Sequence, residues 1–304
     1  MARHFLTGEE ITSDELARLI DRAIELKRDR LASNALAGKS VALIFQKPST
    51  RTRISFEVGV HELGGHPLVL REGEMQLSRG ESPRDTGLVL SRMVHTIAIR
   101  TAAHGPVEEL ARYASVPVVN MLTDDHHPCQ ALADLMTLKE RFGRLEGLKL
   151  VYVGDGNNVA HSLMVLGAKA GLEVVVATPA DYAPARGVAE MAGAVAGNGG
   201  SVSVTTEPAA ASEGAHAIYT DVWVSMGDDP ASADTRRRDL APYRLDDELL
   251  SHAREDAIAL HCLPAHPGEE ISEAVLYGDR QAIWDQAENR LHAQKALLEL
   301  LVAG

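Results

Sequence analysis

The stretch "FQKPSTRTRISFEVGVHELGG", residues 45–65, joins an apolar, strand-like run to a helical pattern through a polar turn. The turn contains Ser49, Thr50, Arg51, Thr52 and Arg53, which together supply three hydroxyl groups and two guanidinium groups. A helix N-terminus has free backbone N–H groups and a partial positive charge. Hydroxyl groups and guanidinium forks add donors that suit phosphate. The stretch therefore predicts a strand, an anion-binding turn and a helix.

Outward from this stretch, strand-like runs alternate with helical patterns along the whole chain. The predicted strands span residues 40–45, 67–70, 95–99, 116–121, 149–153, 173–177, 216–219 and 258–260. Such alternation implies parallel sheets with helices on both faces. The pattern restarts near residues 135–147, so we predict two α/β domains. Sites in such sheets lie beyond the carboxyl ends of the strands, and a cleft between two domains is a favoured place for one.

Composition and charge narrow the classes of function. The chain has 304 residues, of which 45% are hydrophobic and 24% are charged, as in ordinary globular proteins. A net charge of −13 disfavours a broad nucleic-acid surface, which needs a basic footprint. We see neither a secretion signal nor a run of membrane-spanning length, and we expect no membrane partner. Two cysteines, Cys129 and Cys262, are too few for a disulfide framework and predict a reducing, cytoplasmic setting.

The stretch "TDDHHPCQ", residues 123–130, follows the fourth predicted strand and resembles a metal cluster. Adjacent His126 and His127 cannot easily face one ion, and zinc sites usually use separated pairs, so we expect no metal. Pro128 fits the first turn of a helix. A histidine of this stretch could donate a hydrogen bond to a carbonyl oxygen and Gln130 could hold an amide, while a simple capping loop remains the alternative.

The stretch "VGDGNN", residues 153–158, resembles a dinucleotide-binding fingerprint but lacks its third glycine. The next strand ends in Thr178 and Pro179, where an acid would be needed to bind a ribose. A tight turn that presents Asn157 and Asn158 is therefore favoured over an NAD-dependent oxidoreductase, and no cofactor is expected.

Two further strand ends carry reactive groups, in "DVWVSMG" (residues 221–227) and "HCLPAH" (residues 261–266). Asp221 could pair with an amine. Cys262 could serve as a hydrogen-bond partner or proton relay, as a covalent nucleophile or as a metal ligand. Residues 228–247 are predicted to form a long loop in which Arg236, Arg237 and Arg238 are a solvated patch.

Together, "STRTR", "HPCQ", "DVWVSMG" and "HCLPAH" resemble the aspartate/ornithine transcarbamylase family, and the last two resemble its ornithine-specific branch. The resemblance implies transfer of a carbamoyl group from carbamoyl phosphate to L-ornithine, in arginine metabolism, with no metal or organic cofactor. It implies a carbamoyl phosphate domain (residues 1–140, joined by the terminal helix 287–304) and an ornithine domain (141–286), with the active-site cleft between them. A transcarbamylase for another amine, such as putrescine or an acylated ornithine, is the alternative.

The resemblance also assigns roles to residues. It implies carbamoyl phosphate binding by Ser49, Thr50, Arg51, Thr52, Gln76, Arg100, His127, Pro128, Cys129, Gln130, Cys262, Leu263 and Arg290. It implies ornithine binding by Asn158, Asp221, Ser225 and Met226. Arg100, His127 and Cys262 would be catalytic. Gln76 would reach the site of a neighbouring subunit, because the resemblance implies a homotrimer or a multiple of trimers.

Overall fold

The computed structural model describes residues 2–76, 80–224 and 230–302. These residues form two compact units. The first comprises Met1–Met136 with Glu288–Gly304, and the second comprises Thr137–Ala287. Each unit is described by itself.

The first unit is built on a four-stranded parallel sheet with the order β2-β1-β3-β4. Its strands are β1 (Ser40–Phe45), β2 (His66–Arg71), β3 (Thr96–Arg100) and β4 (Val118–Leu122). Phe45 pairs with both Arg71 and Arg100, so three strands end at one edge of the sheet. The polar residues that follow these strands are thereby brought to the same edge.

The helices of this part of the chain are α1 (Ser13–Arg28), α2 (Thr50–Glu62), α3 (Pro83–Leu90), α4 (Gly105–Tyr113) and α5 (Pro128–Phe142). A capping box begins α1: the Thr12 hydroxyl accepts from the Glu15 backbone N–H at 3.2 Å, and the Glu15 carboxylate accepts from the Thr12 N–H at 2.9 Å. Satisfying these end groups typically stabilises a helix by about 1 kcal/mol. One face of α1 is buried, as its apolar spacing predicts.

The second unit contains a five-stranded parallel sheet with the order β7-β6-β5-β8-β9. Its strands are β5 (Lys149–Val153), β6 (Glu173–Ala177), β7 (Ser201–Thr205), β8 (Ala217–Thr220) and β9 (Ile258–His261). The remaining helices are α6 (Asn158–Lys169), α7 (Arg186–Val195), α8 (Pro208–Ser212), α9 (Ala233–Leu240), α10 (Asp247–Ser251), α11 (Glu273–Tyr277) and α12 (Ile283–Val302). The buried faces of β5, β6, β8 and β9 form the centre of its core.

The prediction of two parallel-sheet α/β domains is confirmed. The prediction of one long loop over residues 228–247 is wrong, because α9, the 3₁₀ turn Ala241–Tyr243 and the start of α10 lie in it. The cleft between the domains stays a prediction. Among the helices of the described residues, we find none with the length and apolarity needed to cross a membrane.

Candidate active site

The N-terminus of α2 lies at the edge where β1 and β3 end. Ser49 is the N-cap in extended conformation, and its hydroxyl accepts from the Thr52 backbone N–H at 3.2 Å. The Gln46 N–H donates to the Arg100 carbonyl at 2.9 Å, which joins the start of this loop to the end of β3. The predicted strand–turn–helix unit is therefore present, and it places the N-terminus of α2, with its partial positive charge, at this sheet edge.

Three guanidinium groups act on one buried imidazole in the first unit. Burial lowers the pKa of His127 well below its usual range, and the positive charges of Arg290, Arg100 and Arg51 lower it further. Arg290, from α12, donates to the Thr52 hydroxyl at 2.6 Å, and both side chains are buried. His127 is consequently neutral at pH 7, and the charge around it is positive. An anion is the group that would balance this charge.

The residues after His127 begin α5, and the side chains of Gln130 and Cys129 there make different kinds of contact. The Gln130 amide N–H donates to Asp134 at 2.9 Å, while its buried carbonyl oxygen accepts no hydrogen bond from the residues described. The Cys129 thiol instead donates to the Asn120 carbonyl in β4 at 3.3 Å. Burial raises the pKa of Cys129 to about 12, so this thiol stays protonated. The Cys129 side chain is thus tied to the sheet.

In the second unit, a hydrogen-bonded chain links three strand ends. The Cys262 thiol donates to one oxygen of Asp221 at 2.7 Å, and the Asn157 amide N–H donates to the other at 2.8 Å. The Asn157 carbonyl oxygen accepts from the Val159 N–H at 2.9 Å and from the Tyr152 hydroxyl at 3.2 Å. Asn157 therefore caps α6 while orienting the Asp221 carboxylate. Burial, followed by the charge of Asp221, raises the pKa of Tyr152 well above its usual range, so the phenol stays neutral.

A buried histidine–carboxylate pair supports the turn that contains Cys262. His261 Nε2 lies 3.0 Å from Glu270 Oε1, and His261 Nδ1 accepts from the Leu263 N–H at 2.8 Å. Because Nδ1 accepts, the proton is placed on Nε2, which donates to Glu270. Leu263 has φ +60°, a left-handed conformation that is uncommon for a branched side chain and must be held by its surroundings.

The structure separates the predicted site residues by unit. The first unit contains Ser49, Thr50, Arg51, Thr52, Gln76, Arg100, His127, Pro128, Cys129, Gln130 and Arg290. The second contains Asn158, Asp221, Cys262 and Leu263. Gln76 is exposed. Ser225 and Met226 lie outside the described residues.

The sequence predicts that a turn presents both Asn157 and Asn158, but the resemblance assigns ornithine binding to Asn158 alone. Asn158 is the first residue of α6, but its neighbour Asn157 makes the contact with Asp221. The roles of Tyr152, His261 and Glu270 were missed. His261 and Asn157 adjoin residues that the motifs singled out, which is a usable signal. Glu270 offered none, because its role depends on a turn that brings it back to His261.

Comparison with known proteins identifies the family. Residues 3–140 match the model of the aspartate/ornithine carbamoyltransferase carbamoyl-P binding domain, and residues 146–301 match that of the Asp/Orn binding domain. The chain belongs to the aspartate/ornithine carbamoyltransferase family. It is 55% identical over 304 residues to an ornithine carbamoyltransferase of Acidothermus cellulolyticus, covering 99% of this chain and 97% of the relative.

Solved structures of family members agree over the whole chain. Ornithine carbamoyltransferase from Pyrococcus furiosus superposes with a TM-score of 0.95 at 48% identity, covering 100% of this chain and 98% of that one. An N-acetyl-L-ornithine transcarbamylase superposes with a TM-score of 0.88 at 30% identity, covering 98% of this chain and 99% of that one. The fold is therefore shared by family members named for different acceptors.

Among the described residues of the second unit, two clusters contain groups that could hold a metal ion. Asp221, His261 and Cys262 offer ligand atoms within 4.8 Å of one another, and so do His266, Glu269 and Glu270. In the first cluster Asp221 and Cys262 are bonded to each other, and His261 is bonded to Glu270. These groups are mutually satisfied, and the expectation that the reaction needs no metal stays a prediction.

Proposed function

We propose that this protein transfers the carbamoyl group of carbamoyl phosphate to the side-chain amine of L-ornithine, giving L-citrulline and phosphate. The observation that carries the proposal is the neutral, buried His127 among the charges of Arg51, Arg100 and Arg290, beside the N-terminus of α2. This arrangement combines strong anion binding with a donor suited to a neutral carbonyl. Family membership supplies the reaction type.

The phosphate end of carbamoyl phosphate would bind at the α2 N-terminus. Ser49, Thr50, Arg51 and Thr52 present hydroxyls and backbone amides there, and Arg100 adds a guanidinium group from the end of β3. The same groups would stabilise the phosphate as it leaves, because the C–O bond to phosphate breaks with the electron pair remaining on oxygen. Such positioned charges cost no reorganisation during the reaction.

The carbamoyl end would be held by the start of α5 together with Arg290. A neutral imidazole of His127 can donate to the carbonyl oxygen, on which negative charge grows as the amine attacks the carbon. The Gln130 carbonyl oxygen accepts no hydrogen bond from the described residues and can accept one from the carbamoyl NH₂ group. We also propose that the backbone of Cys262 and Leu263 binds the carbamoyl group.

The amine would be received by the second unit. A side-chain amine of pKa ~10.4 is protonated at pH 7 and must lose a proton before it can attack. Asp221 provides the negative charge that attracts ornithine, and we place the Cys262 sulfur beside the reacting nitrogen. We assign Asn158, Ser225 and Met226 to the amino-acid end of ornithine. The new C–N bond forms, the C–O bond to phosphate breaks, and the leaving phosphate takes up the proton that the nitrogen loses in this step.

Ornithine is favoured over other acceptors by the comparisons. The ornithine carbamoyltransferases compared by sequence are 47–55% identical to the chain and those compared by structure are 34–48% identical, whereas the N-acetyl-L-ornithine transcarbamylase is 30% identical. We place the reaction in arginine metabolism. Neither Cys129 nor Cys262 forms a disulfide bond, which supports the proposed cytoplasmic setting.

We also propose that the chain works as a homotrimer or a multiple of trimers. A cavity of about 720 Å³ lies beside Ser49 and Thr50 and is lined further by Arg53, Arg71 and Glu72. We propose that it receives the segment around the exposed Gln76 of a second copy. Light scattering tests this proposal: a trimer has three times the 32.7 kDa chain mass, whereas a monomer at assay concentration contradicts it.

An acceptor panel tests the function. The purified protein is given carbamoyl phosphate with ornithine, putrescine, N-acetylornithine or aspartate, and both the carbamoylated product and phosphate are measured. We expect kcat/KM for ornithine to exceed the others by about 10⁴-fold, because a site with buried polar groups rejects ligands that leave them unpaired. Equal or better use of another acceptor would replace ornithine, and the absence of any product would reject transcarbamylation.

A further inference from the structure

One arginine of the segment predicted to be a solvated patch is bound at three points. The Arg236 guanidinium group, from α9, forms a salt bridge with Asp155 and donates to the Trp223 carbonyl at 2.8 Å. It also lies over the Tyr182 ring, 5.1 Å from its centre. The prediction for Arg236 is therefore wrong. Its neighbour Arg238 does follow the prediction, with a side chain that is 73% exposed.

The three partners of Arg236 follow three adjacent strands. Asp155 follows β5, Tyr182 lies in the segment after β6, and Trp223 follows β8. These strands are neighbours in the sheet, in the order β6-β5-β8. A single side chain thus connects the carboxyl-end loops of three strands, at the sheet edge where ligands bind in folds of this class.

The same loops contain the residues assigned to the amine. Asp155 is two residues before Asn157, and Trp223 is two residues after Asp221. Asn157 and Asp221 are joined by the 2.8 Å hydrogen bond described above. Arg236 therefore forms a second connection between the two loops that this bond joins.

The loop after β5 has no freedom to shift alone. The Gly156 N–H donates to the Tyr182 carbonyl at 2.9 Å. A Cβ atom at Gly156 would lie 2.5 Å from the Pro184 nitrogen and 2.6 Å from the Tyr182 carbonyl oxygen, so the two backbones are in close contact. Because the loop is packed in this way, we expect a change at Asp155 or Tyr182 to displace Asn157.

The chemistry of these contacts requires arginine. Its planar group donates from Nη2 to a carboxylate, donates from Nε to a carbonyl, and presents its face to an aromatic ring. A lysine ammonium could keep the charge but could not make the three contacts at once. The side chains of both Arg236 and Asp155 are mostly shielded from solvent, so their pairing is weakened less by salt than that of surface pairs.

We propose that Arg236, with Asp155 as its anchor, is a positioning residue that fixes Asn157 and Asp221 for binding of the amine substrate. This inference rests on the proposed function, because it takes ornithine as the ligand of Asp221. Arg236 has no assigned contact with substrate. Its loss should therefore weaken use of ornithine while leaving carbamoyl phosphate binding in the first unit intact.

Steady-state kinetics of Arg236→Lys and Arg236→Ala test the proposal, with Arg238→Ala as the matched control on the same helix. We expect both Arg236 variants to raise the KM for ornithine by about 10-fold or more, as the loss of a hydrogen-bonded charge pair does. The KM for carbamoyl phosphate should stay within about 2-fold, because the contacts of Arg236 described above are with residues that are not assigned to carbamoyl phosphate. Asp155→Asn should reproduce the effect, and the double variant Asp155→Asn/Arg236→Lys should be little worse than either single variant.

The proposal is overturned if the ornithine KM of the Arg236 variants matches that of Arg238→Ala. It is also overturned if both KM values rise together with a fall in the thermal midpoint, because that result indicates a purely structural role. Should Arg236→Ala fail to fold, Asp155→Asn, which preserves side-chain size, decides by the same criteria. The wild-type protein tests the proposed function separately. If wild type forms citrulline and the Arg236 variants have the same kinetic constants as wild type, this inference is rejected and the proposed function is not.

Discussion

The two units place opposite charges at the same position of the same kind of sheet. In the first unit, the loops after the strands bring positive charge around the neutral His127. In the second, they bring the carboxylate of Asp221, held by Asn157 and Cys262. Both sets lie beyond the carboxyl ends of parallel strands. The fold supplies the location, and in the proposed function the side chains that follow each strand decide whether an anion or an amine is bound.

The two sets also differ in how well their own groups satisfy one another. Asp221 accepts hydrogen bonds at both oxygens from within its unit, so its orientation is fixed before a ligand arrives. In the first unit, Arg290, Arg100 and Arg51 are near enough to His127 to lower its pKa, and the proposed anion would reduce the repulsion among these positive charges. We therefore expect the arrangement of the charged side chains to depend more on a bound anion in the first unit and more on internal hydrogen bonds in the second.

The largest effect is expected at His127. His127→Ala removes the neutral donor proposed for the carbonyl oxygen, and we expect kcat to fall by about 100- to 1000-fold, as when one oxyanion donor is lost. His127→Gln keeps a donor and should retain more activity. His126→Ala is the matched control at the adjacent position. A kcat for His127→Ala within about 5-fold of wild type is too small for a lost oxyanion donor and would show that His127 does not stabilise the reacting oxygen.

A smaller effect is expected at the buried pair in the second unit. Glu270→Gln weakens the hold on His261, whose Nδ1 supports the Leu263 N–H. We expect kcat/KM to fall by about 10-fold, in line with the loss of a hydrogen bond to a charged group. A rise in the KM for carbamoyl phosphate would indicate that the Cys262–Leu263 turn is displaced. Glu273 is an exposed neighbour, and the control variant Glu273→Gln should behave as wild type. Equal kcat/KM values for the two variants would contradict the proposed support of His261 by Glu270.

The sequence predicts the bounds of an element well where its apolar residues form a continuous run, and poorly where they do not. β1 and β6 are continuous apolar runs, and their observed bounds equal the predicted ones. β7 was missed because this strand alternates serine with valine and is largely exposed along the edge of its sheet. α9 was missed because it is strongly polar and buries only Leu240, leaving no apolar stripe to read.

For the site, the rule about strand ends located Asp221 and Cys262, and the structure places them in contact. The choice between Asn157 and Asn158 could not be made from sequence, since it depends on which residue caps α6. The pairing of His261 with Glu270 depends on the turn at Leu263, where φ is positive for a non-glycine residue. No local pattern predicts such a turn.

The smallest expected effect distinguishes the two units by thiol reactivity. Cys129 is fully buried with its pKa raised to about 12, whereas Cys262 is partly exposed. Since the thiolate is the reactive form, iodoacetamide at pH 8 should modify Cys262 and leave Cys129 intact in the folded protein. Peptide mass spectrometry measures both sites, with the unfolded protein as control. Comparable labelling of Cys129 in the folded protein would contradict its tie to β4.

The division of labour between the units is tested most directly by measuring both KM values in Arg51→Ala and in Asp221→Asn. Arg3→Ala and Asp256→Asn serve as controls, because Arg3 pairs with Glu15 at 2.6 Å and Asp256 with Arg254 at 2.8 Å. Of the two KM values, we predict that Arg51→Ala raises the one for carbamoyl phosphate and Asp221→Asn raises the one for ornithine. Each should rise by about 10-fold or more. Parallel changes in both KM values in either variant, or values equal to the controls, would contradict the account.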